Sequence, residues 1–149
     1  MLNRIRIIAA ALAVAGALAL PAVAAPAAAD TAPKVVFQIN DAVNASAILR
    51  FVTNYLVAEP TARIAVVGYA SGIDFMLADA KDARGDPWAT KLEALAAQGV
   101  AFKACNNTLR SRNLDANVVA KEVTVVPGAV NEIIRLQTRE GYAYFQHVK

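Results

Sequence analysis

The chain has 149 residues, 57% of them hydrophobic, and its 15 basic residues exceed its 12 acidic residues by a net charge of +3. The excess of positive charge is small, and part of it comes from Arg4 and Arg6 at the N-terminus, so no nucleic-acid partner is predicted. One cysteine excludes an internal disulfide, and one Cys with one His forms no recognisable ligand cluster, so neither a metal nor a cofactor is expected.

Residues 1–29 have the layout of a secretory signal peptide. A positively charged start precedes the apolar run Ile7–Leu20, and small-residue cleavage patterns follow it. An uncleaved membrane anchor is the alternative, but the run is short for a spanning helix. We expect cleavage after Ala29, a periplasmic protein that is no longer attached to the membrane, and one mature domain over residues 30–149.

The mature segment alternates strand patterns with helix patterns. The first strand, Lys34–Asn40, is a β-branched apolar run, and the next segment, Asn44–Ala58, repeats apolar residues at three- and four-residue spacing. The later predicted strands are Arg63–Tyr69, Val100–Ala104, Glu122–Val126 and Tyr142–His147. Three later helices are predicted. One begins at Asp86–Pro87 and ends at Gly99, the next runs from Thr108 to about Val119, and the last runs from Val130 to a stop at Gly141.

Between the second strand and the Asp86–Pro87 helix start, the pattern is less regular. Phe75, Met76 and Leu77 suit a short helical turn, and Lys81–Gly85 is expected to be an exposed loop. The alternation predicts an α/β fold: a three-layer α/β/α sandwich around a five-stranded, mostly parallel sheet. Because the strands are apolar on both sides, helices should cover both faces.

In such a sheet, ligands bind at the carboxyl ends of the strands. Loops that contain Asp41, Ser71 and Cys105, together with Pro127–Gly128, should meet at that edge. We predict Cys105 as the catalytic residue. The candidates for substrate binding are Asp41, Ser71, Asn106, Asn107 and Arg110.

Cys105 lies where a strand ends and a helix begins. A helix N-terminus favours a thiolate over a thiol, and the thiolate is the form that attacks sulfur or carries a persulfide. A small buried hydrophobe is an equally common fate of an unpaired cysteine. His147, the sole histidine, could activate the thiol, although an exposed tail residue is the simpler interpretation.

Four segments are similar to the exported branch of the DsrE/DsrF-like family: Lys34–Asp41, Gly99–Leu109, Val126–Val130 and Gln137–Tyr144. The resemblance covers the chain from Lys34 to its end. It implies a five-stranded α/β/α sandwich, a homotrimer or hexamer, and, in the sulfur-relay branch, a persulfide on Cys105. Asn106 stands where the family usually has Gly, which predicts an altered loop backbone, and Leu109 stands where Met is common.

These observations favour a periplasmic sulfur (persulfide) carrier or sulfurtransferase that acts through Cys105, with a sulfur-donor or acceptor protein as partner. A carrier is favoured over an enzyme with many turnovers. The alternative is a non-catalytic, oligomeric small-ligand-binding module with a buried structural cysteine. A third hypothesis is a redox sensor in which Cys105 forms a disulfide between chains.

Overall fold

The computed structural model describes residues 31–147, so the predicted signal peptide and its cleavage site lie outside the described residues. The strands are β1 (Lys34–Ile39), β2 (Arg63–Gly68), β3 (Ala101–Cys105), β4 (Val123–Val126) and β5 (Ala143–Gln146). The α-helices are α1 (Ala45–Ala58), α2 (Trp88–Ala96), α3 (Asn106–Ser111) and α4 (Ala129–Glu140). Short 3-10 helices span Ala42–Asn44, Ala70–Met76 and Ala116–Val118.

The five strands form one sheet in the order β4-β3-β2-β1-β5, and every neighbouring pair is parallel. This confirms the predicted α/β sandwich. The chain steps from β1 to β4 in one direction and then crosses back beyond β1 to form β5. Since such crossovers are right-handed, the reversal places α4 on the face opposite to the other connections.

One face, which we call the α1/α2 face, carries most of the apolar core. Phe37, Val66 and Phe102 point from the strands to this face and pack against buried residues of α1 and α2 such as Ile48 and Leu92. All five of these side chains are at most 4% exposed. The hydrophobic stripe of each helix explains this packing, because apolar residues recur on one side.

The other face, the α4 face, has a smaller apolar cluster. Val36, Ala65, Val67 and Cys105 point from the strands towards α4, which contributes Ala129, Ile133 and Leu136. Side chains alternate along a strand, so Gln38 and Lys103 also lie on this face. Within residues 31–147, no helix has the length and apolar character needed to cross a membrane.

Two boundaries near Cys105 differ from the prediction. β3 extends to Cys105, because this residue pairs with Val126 of β4. The helix expected over Thr108–Val119 begins earlier and is much shorter. Asn113 ends it by adopting a left-handed backbone with φ of 53°, and the Leu114 N–H then bonds the Leu109 carbonyl at 2.9 Å.

The region before α2 also differs from the prediction. Asp82, expected in an exposed loop, has a side chain that is only 7% exposed. Its carboxylate accepts hydrogen bonds from Lys91 and from the backbone N–H groups of Arg84 and Asp86. The Lys91 hydrogen bond is the main cause that lowers the Asp82 pKa to about 2. Asp86 does not cap α2, whose N-cap residue is Pro87.

Candidate functional site

Cys105 is the last residue of β3 and the N-cap residue of α3, and its side chain lies on the α4 face. The residue is 5% exposed. The side chain is therefore almost completely covered by neighbouring residues. The sequence analysis correctly predicted that Cys105 lies between a strand and a helix. The short helix α3 provides only part of the environment of the Cys105 sulfur, because α4 also contacts it.

The first turn of α4 also faces the Cys105 sulfur. The Ala129 N–H donates a hydrogen bond to Sγ at 3.4 Å. Ala129 is the first residue of α4, so its N–H has no partner within the helix. The sulfur takes the place of a capping oxygen, and a negative charge on it is favoured at a helix N-terminus.

Groups at the start of α3 also influence the Cys105 pKa. Burial is the largest single influence and raises the Cys105 pKa. The opposing hydrogen bonds come from the Ala129 N–H, the Thr108 N–H and hydroxyl, and the Asn107 N–H. Together they outweigh burial, so the Cys105 pKa is lower than that of an ordinary thiol.

A pocket of about 410 Å³ opens above the sulfur. Its lining residues are neutral: Tyr69, Cys105, Asn107, Thr108, Ser111, Gly128, Ala129, Val130 and Asn131. Because Gly128 has no Cβ, the side chains of Asn131 and Asn107 can lie close to its backbone. A Cβ at this position would lie 3.1 Å from Asn131 Oδ1 and 3.3 Å from Asn107 Nδ2. Within residues 31–147, no group of three or more His, Cys, Asp or Glu side chains could hold a metal ion.

Two of the residues predicted from the sequence, Asn106 and Asn107, follow Cys105 at the start of α3. Asn107 lines the pocket together with Cys105. Asn106 is half-buried and is the first helical residue, outside the lining. Asn106 is not among the residues with positive φ, so this position does not require the Gly that the family usually has.

The other predicted binding residues lie elsewhere. The Asp41 carboxylate accepts a hydrogen bond from the Val43 N–H at 3.1 Å and so caps the 3-10 helix after β1. Ser71 Oγ accepts the Ala42 N–H at 3.4 Å, which joins the loops after β1 and β2. Arg110 is exposed on α3. None of the three lines the Cys105 pocket, and their role in binding stays a prediction.

His147 is not placed to activate the thiol. Its ring packs edge-on against Phe51 of α1, with centroids 5.3 Å apart. That contact lies on the α1/α2 face, whereas the sulfur of Cys105 lies on the α4 face. The arrangement excludes a Cys-His pair within one chain in this conformation.

The sequence reasoning did not single out Thr108 or Tyr69. Thr108 occupies the third helical position of α3, and a side chain at that position reaches back to the N-cap residue, so the spacing Cys105-x-x-Thr108 could have indicated it. No sequence pattern indicated that Tyr69 would line the Cys105 pocket. Its hydroxyl accepts a hydrogen bond from Gln38 Nε2 at 2.8 Å, and Gln38 Oε1 accepts one from Tyr144.

A buried charge cluster lies beside the pocket. Glu132 of α4 is 8% exposed, and its carboxylate accepts two hydrogen bonds from the Arg135 guanidinium at 2.8 Å. The Nζ atom of Lys103 on β3 lies 2.9 Å from the same carboxylate. The Arg135 hydrogen bonds are the main cause that lowers the Glu132 pKa to about 2. A second pocket, lined by Glu132 and Arg135, shares Asn107, Gly128 and Asn131 with the Cys105 pocket.

Comparison with known proteins gives a consistent result. The model of the DsrE/DsrF-like family matches residues 22–147. The solved structure of MTH1491, a protein of unknown function from Methanobacterium thermoautotrophicum, is 32% identical with a TM-score of 0.70, over 77% of this chain and 99% of that chain. The ychN protein from E. coli is 18% identical with a TM-score of 0.62, over 76% of this chain and 99% of that chain, which shows the shared fold. No curated protein matches.

Proposed function

This chain belongs to the DsrE/DsrF-like family, and we propose that it is a sulfur carrier in which Cys105 accepts and donates sulfane sulfur as a persulfide. The family is associated with sulfur relay. The observation that carries the proposal is the setting of Cys105: its Sγ accepts a hydrogen bond from the Ala129 N–H of α4, the residue lines an uncharged pocket, and its pKa is lower than that of an ordinary thiol. A thiolate is the form that such donors stabilise, and it is the reactive form of cysteine.

The proposed transfer is redox-neutral and needs no cofactor. The Cys105 thiolate attacks the outer sulfur of a donor persulfide, the sulfur-sulfur bond of the donor breaks, and its electron pair leaves with the donor as a thiolate. The product is a persulfide on Cys105 and a donor thiol. In the second half, an acceptor thiolate attacks the outer sulfur and Cys105 leaves as a thiolate.

The proposal includes export and self-assembly. The pattern of residues 1–29 supports a periplasmic location after cleavage of a signal peptide. Val130 and Ile134, one helical turn apart on α4, are 61% and 53% exposed, which supports a further subunit covering this helix as in a homotrimer or hexamer. Val130 also lines the Cys105 pocket, so such an interface would border the site.

The test is the intact mass of the protein after incubation with a small persulfide donor. We expect the mass to rise by one sulfur atom, and this gain to be reversed by a thiol reductant. The Cys105→Ser variant should show no gain. A wild-type protein that gains no sulfur, or a gain that persists in Cys105→Ser, contradicts the proposal.

A second function is favoured by a different observation. Cys105 is only 5% exposed and its sulfur caps α4, as expected of a structural residue in a ligand-binding module without thiol chemistry. Alkylation of the folded protein separates the two functions. A sulfur that reacts with iodoacetamide only after unfolding supports the binding module, and a sulfur that reacts in the folded protein supports the carrier.

The burial of the sulfur also disfavours the redox sensor. A disulfide between chains brings two sulfur atoms to about 2 Å from each other. An interchain disulfide needs two Cys105 side chains, each 5% exposed, to reach each other, whereas sulfur transfer needs only the persulfide group of the donor to enter the pocket. Non-reducing electrophoresis after mild oxidation should therefore show no covalent dimer.

A further inference from the structure

Gly128 lies between two amide side chains, where the Cys105 pocket meets the neighbouring pocket on α4. A Cβ at Gly128 would lie 3.3 Å from Asn107 Nδ2 and 3.1 Å from Asn131 Oδ1, so both polar atoms flank the same piece of backbone. These three residues line both pockets. The two pockets therefore join over Gly128, and we call the joined space the amide groove.

The two amides of this groove are available to a ligand. Asn107 and Asn131 are exposed, and within residues 31–147 neither side chain makes a hydrogen bond to another protein group. Each amide has both a donor and an acceptor. Because Gly128 has no Cβ, the space between the two amides is open down to the backbone.

The charges of the amide groove do not suit an anionic sulfur donor. The residues around Cys105 are neutral. In the neighbouring pocket, the Arg135 guanidinium donates hydrogen bonds to the carboxylates of Glu132 and Glu140, which offset its positive charge. Within residues 31–147, the lining of the groove thus offers no cation without an acidic partner. A polar but neutral group fits this lining better than thiosulfate or a polysulfide anion does.

The size of the amide groove indicates a ligand larger than a sulfur atom. Its two parts have volumes of about 410 and 510 Å³, and pockets of this size hold ligands of many atoms. The outer sulfur of a persulfide needs only the end near Cys105. In an extended peptide, the N–H and C=O groups of one residue point to the same side of the chain. An acceptor and a donor that flank one glycine can bond both groups.

We propose that Asn107 and Asn131 bind the peptide backbone beside the persulfide cysteine of a donor protein, with that backbone crossing Gly128 and the persulfide reaching Cys105. The binding of a peptide stands on the amide groove alone. The role of that peptide as the sulfur donor rests on the proposed function.

The first test compares two donors that carry no charge outside the persulfide: a short alanine peptide with blocked ends and a central cysteine persulfide, and hydroxyethyl persulfide, which has no amide. The measurement is the ratio of their rate constants for sulfur uptake, followed by intact mass. We expect the wild type to favour the peptide. Asn107→Ala and Asn131→Ala should each lower the ratio about fivefold, since each loses one hydrogen bond.

Gly128→Ala tests the open space between the amides. Gly128 has an extended backbone, with φ of −158° and ψ of 136°, which alanine also adopts. The variant therefore adds a methyl group to the groove without straining the backbone. We expect it to lower the ratio at least as far as the asparagine variants do. Asn54→Ala is the matched control, because Asn54 is an exposed amide on α1, and it should leave the ratio unchanged.

The second test needs no sulfur transfer. The same peptide with S-methylcysteine in place of the persulfide should shift the side-chain amide NMR signals of Asn107 and Asn131, and leave those of Asn54 in place. Absence of these shifts, an unchanged ratio in both asparagine variants, or an equal fall in Asn54→Ala overturns the inference. If the peptide shifts the signals but the wild type takes up sulfur from neither donor, peptide binding is confirmed and the carrier function is wrong.

Discussion

On the α1/α2 face, two helices and the 3-10 helix Ala70–Met76 bury a broad set of apolar side chains, whereas on the α4 face one helix covers a narrow apolar cluster bordered by polar groups. The polar groups of the α4 face include the buried pair Lys103–Glu132 and the amide of Gln38, which is 8% exposed. The Cys105 sulfur belongs to this second face. The comparison indicates that apolar packing on one face stabilises the sheet, while the more polar face holds Cys105.

This division has a physical basis. A buried amide or charge costs free energy unless its hydrogen bonds are made, so a face with several such groups contributes less stability per residue than an apolar one. The Ala129 N–H, which donates to Sγ, lies on this same face at the start of α4. Variants of the two faces should therefore differ in which property they change.

The largest effect on stability is expected from Leu92→Ala on the α1/α2 face. Leu92 is fully buried in α2, and removal of its side chain leaves a cavity in the core. We expect the free energy of unfolding to fall by about 3 kcal/mol, measured by urea denaturation. The Cys105 pKa, measured by alkylation of the folded protein, should stay at its wild-type value. A change in that pKa would show that the two faces are not independent.

A smaller effect is expected from Glu132→Gln on the α4 face. The Glu132 pKa is lowered from 4.5 to about 2, so its charged form stabilises the folded state at pH values above about 4.5, and this stabilisation is lost as the pH falls towards 2. We expect Glu132→Gln to lower the free energy of unfolding by about 2 kcal/mol at pH 7 and to lose less stability than the wild type between pH 5 and pH 2.

Glu140→Gln is the control for this prediction. Glu140 also accepts from Arg135, but its side chain is 41% exposed, so the pair contributes little to stability. Equal losses of stability in the two variants at pH 7, or an unchanged acid response in Glu132→Gln, would contradict the assignment of the buried charge to Glu132.

Much of the fold could be predicted from the sequence. The apolar strand runs, the amphipathic helices and the stop at Gly141, which has a φ of 74°, depend on local patterns that the structure confirms. The sequence could not provide the order of the strands. That order places α4 alone on one face, and it sets β2 between Cys105 at the end of β3 and Asp41 after β1. Ser71 follows β2, the neighbour of β3, but does not line the Cys105 pocket.

The site could be predicted only in part. Cys105 and Asn107 were identified because a strand end and a helix start meet there in sequence. The Ala129 N–H reaches the sulfur from a helix that begins 24 positions later, and backbone donors of this kind leave no mark in the side-chain pattern. Thr108 was within reach of sequence reasoning, since its capping position relative to Cys105 is local.

The central claim is that Cys105 is a reactive thiolate in the folded protein, and the pH dependence of its alkylation tests this claim most directly. The thiolate reacts and the thiol does not, so the rate should rise with pH and reach half its maximum at the Cys105 pKa. The account predicts that this midpoint lies below that of an ordinary cysteine and that Cys105→Ser does not react. A midpoint at or above the ordinary value, or a thiol that reacts only when the protein unfolds, would contradict it.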